Sequence, residues 1–170
     1  TYCTNIHPGE TWAEVRAALT THVPAVKRHL GHVGPFGVGL RLSARAAHDL
    51  GDPAAFAELR DLLAEHDLYV FTINGFPFGT FHGERVKEGA YEPDWRSGER
   101  LAYTDRLARQ LAALLPDGVE GSVSTVPGAF RPNATAEADL EAIAKHLLRH
   151  AATLWRLHEA TGRSIALALE

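Results

Sequence analysis

Polar side chains recur where apolar runs stop: Asn5 and His7, Arg41 and Ser43, Asn74, Ser124 and Thr125, and lastly Glu170. Amides and hydroxyls of this kind hold hydroxyl groups, and the planar fork of Arg41 matches a phosphate or carboxylate. A carboxylate such as Glu170 can act as a base or ligate a hard cation. The segment Asn74-Gly75-Phe76-Pro77-Phe78-Gly79-Thr80-Phe81-His82 adds three phenylalanines on a glycine-rich connection. Aromatics are costly to expose there, so Phe76 and Phe78 either line a pocket or plug against a neighbouring loop. His82 either contacts a substrate or is solvated.

Other chemistries have no footing in the chain. There is no phosphate-binding P-loop and no nucleophile elbow. Gly34, Gly37 and Gly39 precede or lie within a strand rather than open a helix, unlike a dinucleotide fingerprint. His146 and His150 share a helix face at a spacing that zinc can use, but no third ligand is near in sequence. They read as a surface pair, as do His22, His29 and His32.

These candidates need a scaffold, and the chain alternates strand and helix patterns throughout. Strands are expected at Tyr2 to Ile6, Phe36 to Leu42, Leu68 to Ile73, Gly121 to Val126 and Ile165 to Leu169. Thr11 and Glu14 form a capping box before the first helix, which Pro24 should break or restart. Helices are expected over Ala44 to Leu50 and over Pro53 to His66, the second capped by Asp52. A further helix should run from about Ser97 to Leu115, and a last one, capped by Asn133 or Thr135, to about Ala160. Gly162 stands where a left-handed helix end belongs.

An open doubly wound sheet and a partial barrel share this pattern. The strand faces separate them. Ala166, Ala168 and Glu170 oppose Ile165, Leu167 and Leu169; Gly37, Gly39, Arg41 and Ser43 oppose Val38, Leu40 and Leu42. Cys3, Asn5 and His7 fall together, as do Thr72 and Asn74. A doubly wound sheet needs both faces bulky and apolar, whereas a barrel keeps small or polar residues inside. The pattern favours α/β architecture as a partial (β/α)8 TIM barrel: the first five strands and four helical crossovers, residues 1–170 forming one domain.

Composition sets outer limits. With 170 residues the chain can bury one sizeable core, and a formal net charge of −4 with dispersed basic residues argues against nucleic acid. Cys3 is the single cysteine, so no intrachain disulfide forms. No apolar run reaches the length of a membrane span. The chain stops at Glu170 directly after an apolar run and contains no methionine. The expectation is an internal piece of a longer cytoplasmic protein.

Four stretches carry a resemblance: Tyr2-Cys3-Thr4-Asn5-Ile6-His7-Pro8, Gly39-Leu40-Arg41-Leu42-Ser43, Tyr69 through Gly79, and Glu120-Gly121-Ser122-Val123-Ser124-Thr125. Together they resemble the metabolite traffic protein EboE family, itself similar to xylose-isomerase-like (sugar phosphate isomerase/epimerase) TIM barrels. Members of that family are longer, so the resemblance implies that this chain is the amino-terminal half of one barrel domain. It implies a divalent metal (Mn, Mg, Co or Zn) at the barrel mouth, with Glu170 as ligand and catalytic base and the other ligands beyond this chain. Asn5, His7, Arg41, Asn74, Phe76, Phe78 and His82 would then contact substrate. Two functions stay open: handling of a small secondary metabolite, or metal-dependent isomerisation or epimerisation of a sugar or sugar phosphate. The expected partners are a small-molecule metabolite and either the remaining half-barrel or a second copy meeting its open edges.

Overall fold

The computed structural model describes residues 1–79 and 88–170. Its helices start where the sequence supplies an oxygen for the first free amides. Before α1 (Trp12–His29), Thr11 Oγ1 accepts from the Glu14 amide at 3.3 Å, and Glu14 Oε2 accepts from the Thr11 amide at 3.1 Å. Ser43 Oγ caps α2 (Ala44–Asp49) through the Ala46 amide. Asp52 Oδ1 caps α3 (Pro53–Glu65) through the amides of Ala54 and Ala55. Ser97 Oγ caps α4 (Gly98–Leu114) through the Glu99 amide.

The last helix, α5 (Glu137–Thr161), differs from expectation. Its N-cap is Ala136, not Asn133 or Thr135, and Asp139 Oδ2 accepts the Ala136 amide at 3.1 Å. The carboxylate reaches back from the first turn to the cap residue's own amide, the one half of a capping box that needs no cap hydroxyl. Gly162 ends the helix with φ 70°, as its position predicts.

Pro24 does not break α1, which runs through it unbroken. An interior proline costs about 3 kcal/mol. Here Val23 and Pro24 are both buried in the core, an offset of similar size. Farther along, Lys27 Nζ donates to the carbonyls of His66 and Asp67 at 3.0 and 2.9 Å, anchoring the downstream turns to the end of α3.

The strands β1 (Tyr2–Cys3), β2 (Phe36–Arg41), β3 (Leu68–Asn74), β4 (Gly121–Thr125) and β5 (Ile165–Leu169) form one all-parallel sheet in the order β1-β2-β3-β4-β5. The first strand is shorter than its sequence suggests, since Thr4–Ile6 is a 3₁₀ turn. The reason is Thr4, whose hydroxyl accepts the Arg41 amide at 2.9 Å and so replaces a ladder bond to β2.

Strand order never reverses. With right-handed crossovers, each step to the next neighbour puts its helix on the same side of the sheet. One apolar cluster accordingly joins Val38, Leu40, Val70, Ile73 and Val123 of the strands to Leu19, Val23, Leu59, Leu62, Leu107 and Leu111 of the helices. No helix among the described residues is long and apolar enough to cross a membrane.

Register in β3 is not regular. Val38 pairs with Val70, but the next residue, Gly39, pairs with Thr72, leaving Phe71 as the extra residue of a bulge. In an unbroken strand Val70 and Thr72 would share a face. The bulge lets Val70 face the helices while Thr72 and Asn74 face the other way.

Candidate functional site

On the side away from the core, the sheet presents small and polar residues. Toward the amino ends of the strands this face is filled by aromatics, because a Cβ on Gly37 would meet Tyr69 Oη at 3.1 Å and Phe71 Cδ1 at 3.2 Å. Toward the carboxyl ends it is open. A cavity of about 190 Å³ is lined there by Cys3, Asn5, Gly39, Thr72, Asn74, Ser122, Ser124, Ala168 and Glu170. A second, of about 160 Å³, is lined by Asn5, Arg41, Asn74, Phe76, Pro77 and Glu170. The two share Asn5, Asn74 and Glu170, which come from the ends of three different strand segments.

The polar groups of this surface are partly pre-ordered. Thr72 Oγ1 donates to the Ser122 carbonyl at 3.1 Å and stands 2.7 Å from the Ser122 hydroxyl, bridging β3 to β4. Asn74 Oδ1 accepts the Phe76 amide at 3.0 Å, which leaves the amide nitrogen as its remaining polar end. Ser124 Oγ is buried and has no hydrogen-bond partner among the described residues. A buried hydroxyl without a partner is rare, because its lost hydration is not replaced.

The loop after β3 is held from below by α4. Arg100, fully buried, donates from Nε to the Pro93 carbonyl at 2.7 Å and from Nη1 to the Gly75 carbonyl at 2.8 Å. Its guanidinium lies over the rings of Phe78 and Tyr103. Burial lowers the Arg100 pKa from its usual value and raises that of the Tyr103 phenol, whose hydroxyl donates to the Leu42 carbonyl.

The sequence-derived candidates therefore separate. Asn5, Arg41, Asn74, Phe76 and Glu170 come together at the carboxyl end of the sheet. Phe78 instead packs edge-on against Tyr103, 5.0 Å between centroids, and plugs the core below the loop. His7 turns toward the amino-terminal segment: its Nε2 is 2.8 Å from the Tyr2 hydroxyl and its ring stacks on His22 at 4.1 Å. His82 lies outside the described residues.

Arg41 is held rather than extended. Its guanidinium donates to the Gly9 carbonyl at 3.1 Å, to Glu10 Oε1 at 2.9 Å and to the Gly79 carbonyl at 2.9 Å, with a side chain 1% exposed. The sequence singled out Arg41 but not Glu10, which follows a turn and gave no local signal. Ser43 is likewise occupied, capping α2 and donating to the Glu10 carbonyl at 2.7 Å. Thr72, Ser122 and Cys3 belong to the cavity through register, which the sequence shows only where strand faces are known.

The two helix histidines are not a surface pair. His150 is fully buried, with Nδ1 2.6 Å from Asp105 Oδ1, and His146 Nδ1 is 2.8 Å from the Trp95 carbonyl. The face they share packs against α4 and the loop before it, so their polar atoms serve that contact.

The donor set at the cavity can be tested against a divalent cation. Hard cations take six or more oxygen ligands, drawn from carboxylates, carbonyls and water. Among the described residues lining either cavity, Glu170 is the one carboxylate, and Asn74 Oδ1 is already used. Nowhere among the described residues do three or more His, Cys, Asp or Glu side chains gather to hold a metal. The residues present do not fit the cation by themselves.

Fold and site together define an all-parallel α/β protein with helices packed on one side of the sheet and a polar, cavity-bearing surface at its strand ends. No protein-family model matches the chain, and comparison with curated proteins returns no match.

Proposed function

We propose that the sheet is the first part of a (β/α)8 barrel of the xylose-isomerase-like type, and that its mouth binds a small hydroxyl-bearing metabolite, as an EboE-like metabolite traffic protein acting in the cytoplasm. The sequential strand order, the one-sided helices and the small residues of the opposite face support the barrel. The observation that carries the binding role is the shared lining of both cavities by Asn5, Asn74 and Glu170. Two amides, a carboxylate and the Ser124 hydroxyl, which has no partner among the described residues, make a surface that both donates to and accepts from alcohols. Each matched hydrogen bond contributes about 1 kcal/mol net, so several are needed for useful affinity.

The experiment is a ligand-observed NMR screen of polyols, sugars and amino sugars against the intact chain. For any binder, Asn74→Ala and Glu170→Ala should each weaken affinity roughly five- to tenfold, the loss of about one hydrogen bond each. Binding that neither substitution weakens would place the ligand elsewhere and end the proposal.

The second reading is a sugar isomerase or epimerase, and Glu170 favours it: the carboxylate is exposed and faces both cavities, free to take a proton α to a carbonyl. Incubation of a carbonyl sugar in D₂O with Mn²⁺ or Mg²⁺ tests it. Deuterium incorporation at the α-carbon that Glu170→Gln abolishes supports this reading; its absence across the screen's binders leaves binding alone.

A further inference from the structure

We propose that Glu10 sets the charge preference of the mouth: by neutralising Arg41 it makes the site accept an uncharged, hydroxyl-rich ligand and refuse a phosphorylated or carboxylated one. The proposal rests on the mouth being a ligand site. Arg41 is the one cation among the described residues lining either cavity. An unengaged arginine fork there would recruit a phosphate by paired, charge-assisted hydrogen bonds.

This fork is already spent. Nη2 sits between Glu10 Oε1 and the Gly79 carbonyl, each at 2.9 Å, and Nη1 donates to the Gly9 carbonyl at 3.1 Å. Turning Arg41 toward an incoming anion would break these bonds and leave the Glu10 carboxylate beside that anion. Glu170 adds a second negative charge to the same wall. Apart from Glu170, what remains to meet a ligand among the described residues is neutral: the buried Ser124 hydroxyl, the Asn5 side chain, the Asn74 amide nitrogen and the Thr72–Ser122 hydroxyl pair. An alcohol satisfies such groups in both directions, whereas a phosphate at neutral pH has mainly acceptors to offer.

Inorganic phosphate and ribitol are the probes, each titrated into the intact chain and into Glu10→Gln, with the Arg41 Nε–Hε NMR resonance reporting on the site. In the wild type, ribitol should perturb the mouth and phosphate should leave Arg41 unmoved. In Glu10→Gln, phosphate affinity should rise at least about tenfold while that for ribitol stays within about threefold. Phosphate that moves Arg41 equally in both proteins, or gains nothing in the variant, overturns the proposal. Should Glu10→Gln lose its fold, Glu10→Asp keeps the charge and must still refuse phosphate; phosphate binding by it is equally fatal. Ribitol that perturbs neither protein counts against the mouth as a polyol site, while the phosphate comparison still decides the role of Glu10.

Discussion

His150 Nδ1 lies 2.6 Å from Asp105 Oδ1, and this contact ties α5 to α4 in the layer behind the sheet. Thr153 Oγ1 donates to the other carboxylate oxygen at 3.1 Å, and Arg109 approaches it at 3.5 Å. Asp105 is thus the hub on which three side chains converge, while His150 Nε2 has no partner among the described residues and the Trp95 ring lies nearby.

Removing the hub should cost more than an ordinary surface change. Asp105→Ala leaves a buried imidazole N–H without its acceptor and the Thr153 hydroxyl with the Arg149 carbonyl alone, a loss of about 2 kcal/mol. Urea denaturation should show a lower midpoint with an unchanged slope. An unaltered midpoint would mean the pair contributes nothing to holding α5.

The sheet face away from the core offers a second test at Gly39. A Cβ there would stand 2.6 Å from Cys3 Sγ and 3.3 Å from Thr72 Cγ2. Gly39→Ala should therefore destabilise the protein by about 1–2 kcal/mol through overpacking. Because the closest atom is a thiol on a short edge strand, Cys3→Ala should recover part of the loss. A double-mutant cycle read by thermal unfolding would give a non-zero coupling, and additive effects would contradict the contact.

Acid should loosen the start of α1 in a predictable direction. The Glu14 carboxylate accepts the backbone amides of Glu10 and Thr11, and these bonds lower its pKa from the usual value of 4.5. A folded pKa below the unfolded one means the contribution is present above the unfolded value. It is lost as pH falls through the folded value, the window below 4.5. Glu14→Gln keeps the capping geometry without that titration, so its stability deficit relative to wild type should shrink as pH falls through that window. A deficit independent of pH would show that the charge plays no part.

The far edge of the molecule should be adhesive. Leu148 and Trp155, two turns apart on α5, are 71% and 66% exposed, and Leu169 on β5 is 54% exposed. An open groove lined by Leu154, Trp155 and Ile165 runs between that helix and the starts of β4 and β5. The chain should self-associate at micromolar concentration, and Trp155→Glu with Leu148→Lys should reduce this. Sedimentation velocity decides it; a monodisperse wild-type monomer would contradict the expectation.

Much of the scaffold was readable from local chemistry. Thr11 and Asp52 start helices, as read, because an oxygen one residue ahead of a helix meets amides that have no other partner, which requires no knowledge of the rest of the chain. The alternation in Ile165–Leu169 set Ala168 and Glu170 on one face, and both line the cavity. Where local signals failed, a distant group had intervened. Thr4 left the first strand because its hydroxyl bonds the Arg41 amide, and Pro24 stayed helical because its ring is buried.

The sequence by itself determined the βα alternation, the helix starts other than that of α5, and the identity of the polar residues at the strand ends, since each depends on neighbours a few positions away. Tertiary structure alone decided what those residues are free to do. The sequence set Thr72 and Asn74 on one face, but the bulge at Phe71 decided that this face lies opposite Val70, and folding brought Glu10 against Arg41 across 31 positions of chain. Charge pairing and register depend on which segments meet, and no spacing within a single segment records that.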